Sequence, residues 1–220
     1  MKIECYPKGP LEANCYVVSF GDKDTIVIDP CVPYDELDIS EKNVRAILCT
    51  HAHYDHILCV EQIAAKTDAI VFAHELEAPL FSDSRLNLSS LHGESFSAVC
   101  STCPLKDDDR LTPTDFGFEA KTSLFELTVL HTPGHTKGSL SYYFASDDQR
   151  YLFSGDTVFE GTIGRTDLGG NLAKLMQSVH RIAKLPDHTV IYPGHGASTS
   201  IKKELSSNPY FTAIRLDDMI

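Results

Sequence analysis

His51-Ala52-His53-Tyr54-Asp55-His56 puts three imidazoles and a carboxylate into six consecutive positions, a density that core packing does not call for. Imidazole nitrogen and carboxylate oxygen are donors that zinc and non-haem iron accept, so a shared metal is the simplest chemistry for such a run. On a helix, His53 and Asp55 would point to different sides, whereas a tight loop lets all four converge. The apolar run 44–49 just before them reads as a buried strand, which predicts the hexad on a loop at that strand's end.

The second half repeats the arrangement three times. Runs 124–130, 151–154 and 189–192 read as strands, and a candidate ligand follows each at once. These are His135 in His131-Thr132-Pro133-Gly134-His135, Asp156 after Gly155, and His195 in Pro193-Gly194-His195. Glycine and proline beside each ligand permit a sharp turn and a close backbone approach. Four strand ends then point at one place, as at one edge of a sheet.

The elements that must position these groups alternate in type. Runs 14–20 and 25–29 form a predicted hairpin across Gly21-Asp22-Lys23-Asp24. A short helix is expected over 33–40, a second over 57–66 and a strand over 69–73. Run 44–49 has too few polar positions to face water, so both its faces are expected to be covered. From 82 to 122 the pattern gives way to Ser, Asp, Pro and Gly, which reads as an insertion or lid within one domain spanning 1–220. Further strands are expected over 139–144 and the three runs above. A helix over 171–183 carries Leu172, Leu175, Met176, Val179 and Ile182 on one face as core. A short closing helix begins near Ser200.

Composition excludes several classes of function. With 220 residues and 42% hydrophobic content the chain can bury a sizeable core. No apolar stretch approaches the roughly 20 residues of a membrane helix, and the start, Met1-Lys2-Ile3-Glu4-Cys5, lacks a secretory signal. A net charge of −12 leaves no basic footprint, so neither nucleic acid nor an anionic membrane is an expected partner. Cys5, Cys15, Cys31, Cys49 and Cys59 sit singly in or beside apolar segments and read as reduced thiols of a cytoplasmic protein. Cys100-Ser101-Thr102-Cys103 has no second pair to complete a four-sulfur zinc site and reads as a loop with two thiols.

Asn14-Cys15-Tyr16, Asp29-Pro30, Thr50 with the hexad, His131-Thr132-Pro133-Gly134-His135-Thr136, Ser154-Gly155-Asp156-Thr157-Val158-Phe159, Gly164-Arg165-Thr166-Asp167 and Pro193-Gly194-His195-Gly196 occur in this order. Together they resemble the metallo-β-lactamase fold superfamily, and more narrowly its glyoxalase II-like hydrolases. The resemblance implies a mixed α/β chain folded as a four-layer αββα sandwich with metals at one edge. It places a first metal on His51, His53 and His135, a second on Asp55, His56 and His195, and Asp156 between them. The implied cofactors are two divalent ions, zinc first, with iron or manganese as alternatives. Dications about 3.5–4 Å apart need an anionic bridge and bring the pKa of bound water down to roughly 7. The implied reaction is attack of the shared hydroxide on a thioester or ester carbonyl of a small molecule, a hydroxyacylglutathione-type thioester first. A thiol of pKa near 8.5 leaves readily as thiolate.

Within that reading, Asp55 also orients the nucleophile and Asp29 steadies the ligand loops from behind. Arg165 is the first candidate for gripping a substrate carboxylate, with Lys137 and Lys121 behind it. His131 is expected near the ligands but off the metal, whereas His74, His92, His180 and His188 read as ordinary imidazoles. The chain departs from the family at Ala52 and Leu58-Cys59, where glycines are usual, and Leu58-Cys59 is expected to narrow the mouth and bring a thiol to it. Cys31 stands where Asp-Pro-Gly is common. The sequence ends at Ile220 without the C-terminal helical domain that helps glyoxalase II proper bind glutathione. The runner-up is a persulfide dioxygenase with one iron on His51, His135 and Asp156, but Pro193-Gly194-His195-Gly196 looks like the hydrolase form. A nuclease of the same fold would need a basic exosite that the charge balance does not supply.

Overall fold

The computed structural model describes residues 1–119, 125–146 and 148–212; Lys121, a candidate substrate contact, lies outside them. The first sheet runs β1 (Lys2–Tyr6), β2 (Cys15–Phe20), β3 (Asp24–Ile28), β4 (Asn43–Leu48), β5 (Ile70–His74) and β6 (Thr102–Leu105), neighbours in that order. β1 to β3 pair antiparallel, and the predicted hairpin joins β2 to β3. β3 to β6 pair parallel, and parallel neighbours require crossovers. The crossover from β4 to β5 carries the hexad, followed by helices α1 (Tyr54–Ile57) and α2 (Val60–Thr67).

Helix α3 (Ala78–Ser82) follows β5, and the chain then reaches the second sheet. That sheet contains β7 (Arg110–Leu111), β8 (Glu126–His131), β9 (Leu140–Ser146) and β10 (Gln149–Gly155). A small hairpin, β11 (Val158–Phe159) and β12 (Thr162–Ile163), precedes helix α4 (Leu172–Ile182). The sheet is completed by β13 (Val190–Pro193) and β14 (Thr199–Ser200), in spatial order β14-β13-β10-β9-β8-β7, and helix α5 (Ile201–Ser207) follows.

Three apolar layers separate these elements, which gives the αββα sandwich. Ile57, Val60, Ile63 and Phe81 pack on the outer face of the first sheet, against Val17, Val27 and Ile47. Leu175, Val179, Ile182 and Ile201 cover the outer face of the second, against Leu152 and Ile191. Between the sheets, the two-residue period of the strands delivers Leu140, Tyr142 and Phe144 from β9 and Phe153 from β10. Phe144 lies 5.5 Å from Phe125 and 5.6 Å from Phe153, ring centre to ring centre. Phe144→Ala is therefore expected to lower stability by about 3–5 kcal/mol. Urea unfolding should show a lower midpoint at unchanged slope, and an unchanged midpoint would mean this layer is not packed as described.

Several elements differ from the sequence expectation for local reasons. The helix expected over 33–40 is one 3-10 turn, Tyr34–Glu36. Leu37 and Ile39 are buried around exposed Asp38, the alternation of an extended chain. The hexad is not a bare loop, because Tyr54–Ile57 closes one helical turn that carries Asp55 and His56, with His53 at its N-terminal boundary. The helix expected over 57–66 is interrupted at Cys59, whose N–H donates to the Pro30 carbonyl at 2.8 Å. Leu172, expected in the core, is exposed because α4 begins there, with the Asn171 side chain accepting the Lys174 N–H at 2.9 Å. Stretch 82–122 is more than an insertion: its described part supplies β6 to one sheet and β7 to the other, and so is the crossing between them. No helix among the described residues is long and apolar enough to cross a membrane.

Candidate metal centre

The carboxyl ends of β3, β4, β8, β10 and β13 lie along one edge of the sandwich, and each leads into a predicted site residue. Asp29 follows β3 in the left-handed region, φ +50°, a conformation non-glycine residues adopt at a cost and mainly where function holds them. Its carboxylate accepts the Thr50 N–H at 2.7 Å, the Thr50 hydroxyl at 2.8 Å and the His56 Nδ1–H at 3.0 Å. It thereby fixes the start of the hexad to its end. Tyr142 donates its hydroxyl to the Cys49 carbonyl at 2.7 Å and pins the same loop to the second sheet.

Three of the four remaining imidazoles are oriented in the same manner, through the Nδ1 that faces away from the centre. His135 Nδ1–H donates to the Arg165 carbonyl at 2.9 Å, and His195 Nδ1–H donates to the Leu11 carbonyl at 3.2 Å. His51 Nδ1 is 3.1 Å from the Thr50 hydroxyl. Asn14 and Tyr16 brace the last loop: the Asn14 amide donates to the Pro193 and Gly196 carbonyls, each at 3.0 Å, and the Tyr16 hydroxyl donates to Pro193 at 2.5 Å. Backbone crowding explains two glycines beside ligands. A Cβ at Gly194 would stand 2.1 Å from Asp156 Oδ1, and one at Gly155, φ +50°, would stand 2.4 Å from Thr50 Oγ1.

What faces inward is a set of lone pairs without enough protons between them. His56 Nε2 lies 3.2 Å from His195 Nε2, and His135 Nε2 lies 3.0 Å from His53 Nδ1. Asp55 Oδ2 is 3.3 Å from His195 Nε2. Asp156 spans the two halves, with Oδ1 3.4 Å from His56 Nε2 and Oδ2 3.5 Å from His135 Nε2. His51 Nε2 and Asp156 Oδ1 are buried and make no hydrogen bond. Buried polar atoms of this kind cost about 1–3 kcal/mol each when left unpaired. The donors fall into three overlapping groups, His51/His53/His135, His51/His56/Asp156 and Asp55/His56/His195, the atoms of each within 4.8 Å of one another. Five imidazoles and two carboxylates with facing donor atoms, two of them without any hydrogen bond, fit divalent cations.

The local electrostatics agree with a donor set built for cations. Burial, then the neighbouring imidazoles, hold His51 and His53 well below the usual histidine range, so their nitrogens stay neutral donors. At His56 burial acts against charge, yet Asp156, Asp55 and Asp29 outweigh it and push its pKa up to about 10. Asp55 is likewise buried, but His56 and His195 keep its carboxyl below the ordinary carboxylate range. Asp29→Asn replaces the acceptor of the His56 Nδ1–H with a group that cannot hold that tautomer as firmly. Metal affinity is expected to fall about 10–100-fold, read by competition with a chelator; an unchanged affinity would remove Asp29 from the support of the site.

The other predicted residues separate. Arg165 lines the main cleft, but its guanidinium forms two 2.7 Å bonds to Asp167, and its carbonyl is what serves His135. Lys137 is exposed in a different cleft. His131 stacks on His74 at 4.4 Å and contacts the Lys137 carbonyl at 3.0 Å, so it sits beside the ligand loop and on no ligand in particular. Cys59 is not at the mouth: it is buried in the first apolar layer at the start of α2, and burial pushes its thiol up to about 11. Leu58 alone faces out, in a recess shared with Tyr54 and His92. Cys31 is buried among the first apolar layer, Cys100 packs against that layer and Cys103 lies exposed on β6, all off the ligand set.

Glu77 is the supporting residue that sequence reasoning missed. Fully buried, it accepts the Ala52 N–H and the Gly138 N–H, each at 2.8 Å, and so ties the loop of His51 and His53 to the loop of His135. In the sequence it stands in His74-Glu75-Leu76-Glu77, where nothing separates it from exposed Glu75.

Comparison with known proteins follows the same lines. The family model described as Metallo-beta-lactamase superfamily matches residues 9–195. Bacillus subtilis "Probable metallo-hydrolase YqgX" is 37% identical, over 98% of this chain and 100% of its own. "Hydroxyacylglutathione hydrolase GloC" of Haemophilus influenzae is 29% identical, over 97% and 99%. Among solved structures, "BLEG-1 B3 metallo-beta-lactamase" superposes with a TM-score of 0.85 at 36% identity, and "TTHA1623 in a di-iron-bound form" with 0.77 at 31%. Each covers 96% of this chain and 100% of the other.

Proposed function

The chain belongs to the metallo-beta-lactamase superfamily as a metallo-hydrolase, and from that premise we propose that it is a two-cation hydrolase of thioesters or esters, acting first on hydroxyacylglutathione-type thioesters. The observation that carries the proposal is the convergence of seven donor side chains, with Asp156 facing both halves. His51, His53 and His135 would hold one ion, and Asp55, His56 and His195 the other, with Asp156 between them. Zinc is the first choice for this donor set; a relative described as di-iron-bound keeps iron open. Divalent ions bound there supply an acidified water and a positive partner for an acyl oxygen.

The chain's own residues do the rest. Asp55 opens on the main cleft, and its ionised carboxylate is placed to accept a hydrogen bond from the attacking water and hold it toward the acyl carbon. Leu11, Tyr54, Leu88, Phe159 and Ile163 give that cleft an apolar wall that limits competing water. As the water oxygen bonds to carbon, the C–S bond breaks and sulfur takes its electron pair. A thiolate needs no proton to leave, which suits a cleft whose titratable groups are engaged with one another. The products are a carboxylic acid and a thiol. Seven free cysteines suit a reducing compartment, and the cytoplasm is the proposed location.

A one-iron dioxygenase on His51, His135 and Asp156 would leave four converging donors without a role. A hydrolysis panel tests the substrate class: lactoylglutathione, simple acyl thioesters, lactones and a β-lactam, each with zinc-, iron- and manganese-loaded protein. The expected result is thioester turnover with kcat/KM above about 10⁴ M⁻¹s⁻¹. Turnover of the β-lactam alone would overturn the thioester reading and leave the hydrolase.

A further inference from the structure

The exposed large apolar side chains are not evenly spread over the described surface. Leu11, Leu58, Leu76 and Leu86, out of nine such residues, stand at recesses around the candidate metal edge. Apolar surface left in water at one place marks a binding region. The main cleft, about 510 Å³, has His53 and His135 in its wall. A second cleft of about 310 Å³ shares the same two imidazoles and is further lined by Leu76, Pro79, Leu80 and Leu86. Leu168 is shared by both clefts.

The two clefts differ in charge. In the main cleft Asp55 and Asp156 belong to the candidate metal centre, and its one guanidinium, Arg165, is bonded to Asp167. In the second cleft Glu77 is buried and already holds two N–H groups, while Lys137 is exposed and has no carboxylate partner among the described residues. An anionic end group therefore meets, in the second cleft, an ammonium without a carboxylate partner among the described residues, whereas the guanidinium of the main cleft is already taken by Asp167. Asp55, which orients the water, lines the main cleft and not the second, which leaves the second cleft to the arm that departs.

We infer that the Leu76/Leu86 cleft is a subsite for the leaving-thiol arm of the substrate, and that it selects a thiol with an apolar stem ending in a carboxylate that meets Lys137. The inference rests on the thioester reading above. It specifies the departing arm, whereas the acyl arm occupies the Tyr54/Phe159 cleft.

Two measurements test it. In the first, the metal-loaded protein is assayed on acetyl thioesters of ω-mercaptoalkanoic acids of rising chain length, and on a matching series with rising acyl length. Over the first few methylenes of the thiol, kcat/KM should rise about fourfold each. Leu76→Ser and Leu86→Ser, both at exposed positions, should each flatten the thiol series while the acyl series keeps its slope. Lys137→Met should lower the preference for a carboxylate end over its methyl ester by about two- to fivefold. In the second, the unreactive thioether 6-(methylthio)hexanoate is added and leucine methyl resonances are followed. Leu76, Leu80 and Leu86 should shift while Leu11 and Leu88 stay. A flat thiol series, flattening of the acyl series instead, or shifts at Leu11 and Leu88 alone would overturn the subsite. If no thioester is turned over but Leu76 and Leu86 still shift, the subsite stands and the thioester reading falls.

Discussion

Asp156→Ala should lower kcat/KM for thioester hydrolysis by at least about 10³-fold, because charge stabilisation in a two-cation site is worth several kcal/mol and each 1.36 kcal/mol is tenfold. The reason is positional. Asp156 is the one carboxylate with one oxygen toward His56 and the other toward His135, so its loss uncouples two donor groups that the other six side chains leave separate. Its place cannot be taken by a neighbour, since Gly155 and Gly194 are backbone on either side and the gap left is lined by imidazoles. Circular dichroism should show the fold retained, because the residue lies beyond the end of β10 and outside all three apolar layers. Near-wild-type turnover by this variant would mean the site is misplaced.

The second large effect is on stability. Without cations the edge holds Asp29, Asp55 and Asp156 against five imidazoles, with two buried donor atoms unpartnered. Cations that bind the folded chain alone stabilise it by about 4.1 kcal/mol at a free concentration a thousand times Kd. For a chain of this size each kcal/mol moves Tm by about 2–4 °C, so metal-loaded protein should melt about 8–16 °C above protein stripped with chelator. Calorimetry with and without chelator reads the difference directly. Asp156→Ala should retain only part of it, whereas Lys137→Met should retain all of it. Equal melting temperatures for loaded and stripped wild type would contradict cation binding at this edge.

The ligand residues were legible because metal chemistry needs particular side chains, and turns need glycine or proline beside them. His135, Asp156 and His195 each stand beside a glycine, the hexad stands out by its density of donors, and the fold brings all seven donors together. The supporting residues were harder to read. Asp29 was visible through the Asp29-Pro30 pair of the family resemblance, but Glu77 looks like any surface acid until the Ala52 and Gly138 amides are seen to meet on it. Element boundaries failed where tertiary contacts override local pattern. Cys59 turns its N–H to Pro30 and breaks a run with good helical character, and the polar stretch after Ser82 acquires strands by pairing with β5 and β8. Arg165 shows a different limit: sequence placed a cation near the site, but only the structure shows both arms of its guanidinium committed to Asp167.

Seven side chains that act as one two-cation hydrolytic centre must fill with two ions per chain before activity is complete. The most direct test titrates stripped protein with zinc or iron while following thioester hydrolysis and dissolved oxygen together. Activity should keep rising to two equivalents of metal per chain, with no oxygen consumed. Activity complete at one equivalent of iron, with oxygen taken up on a persulfide substrate, would contradict it.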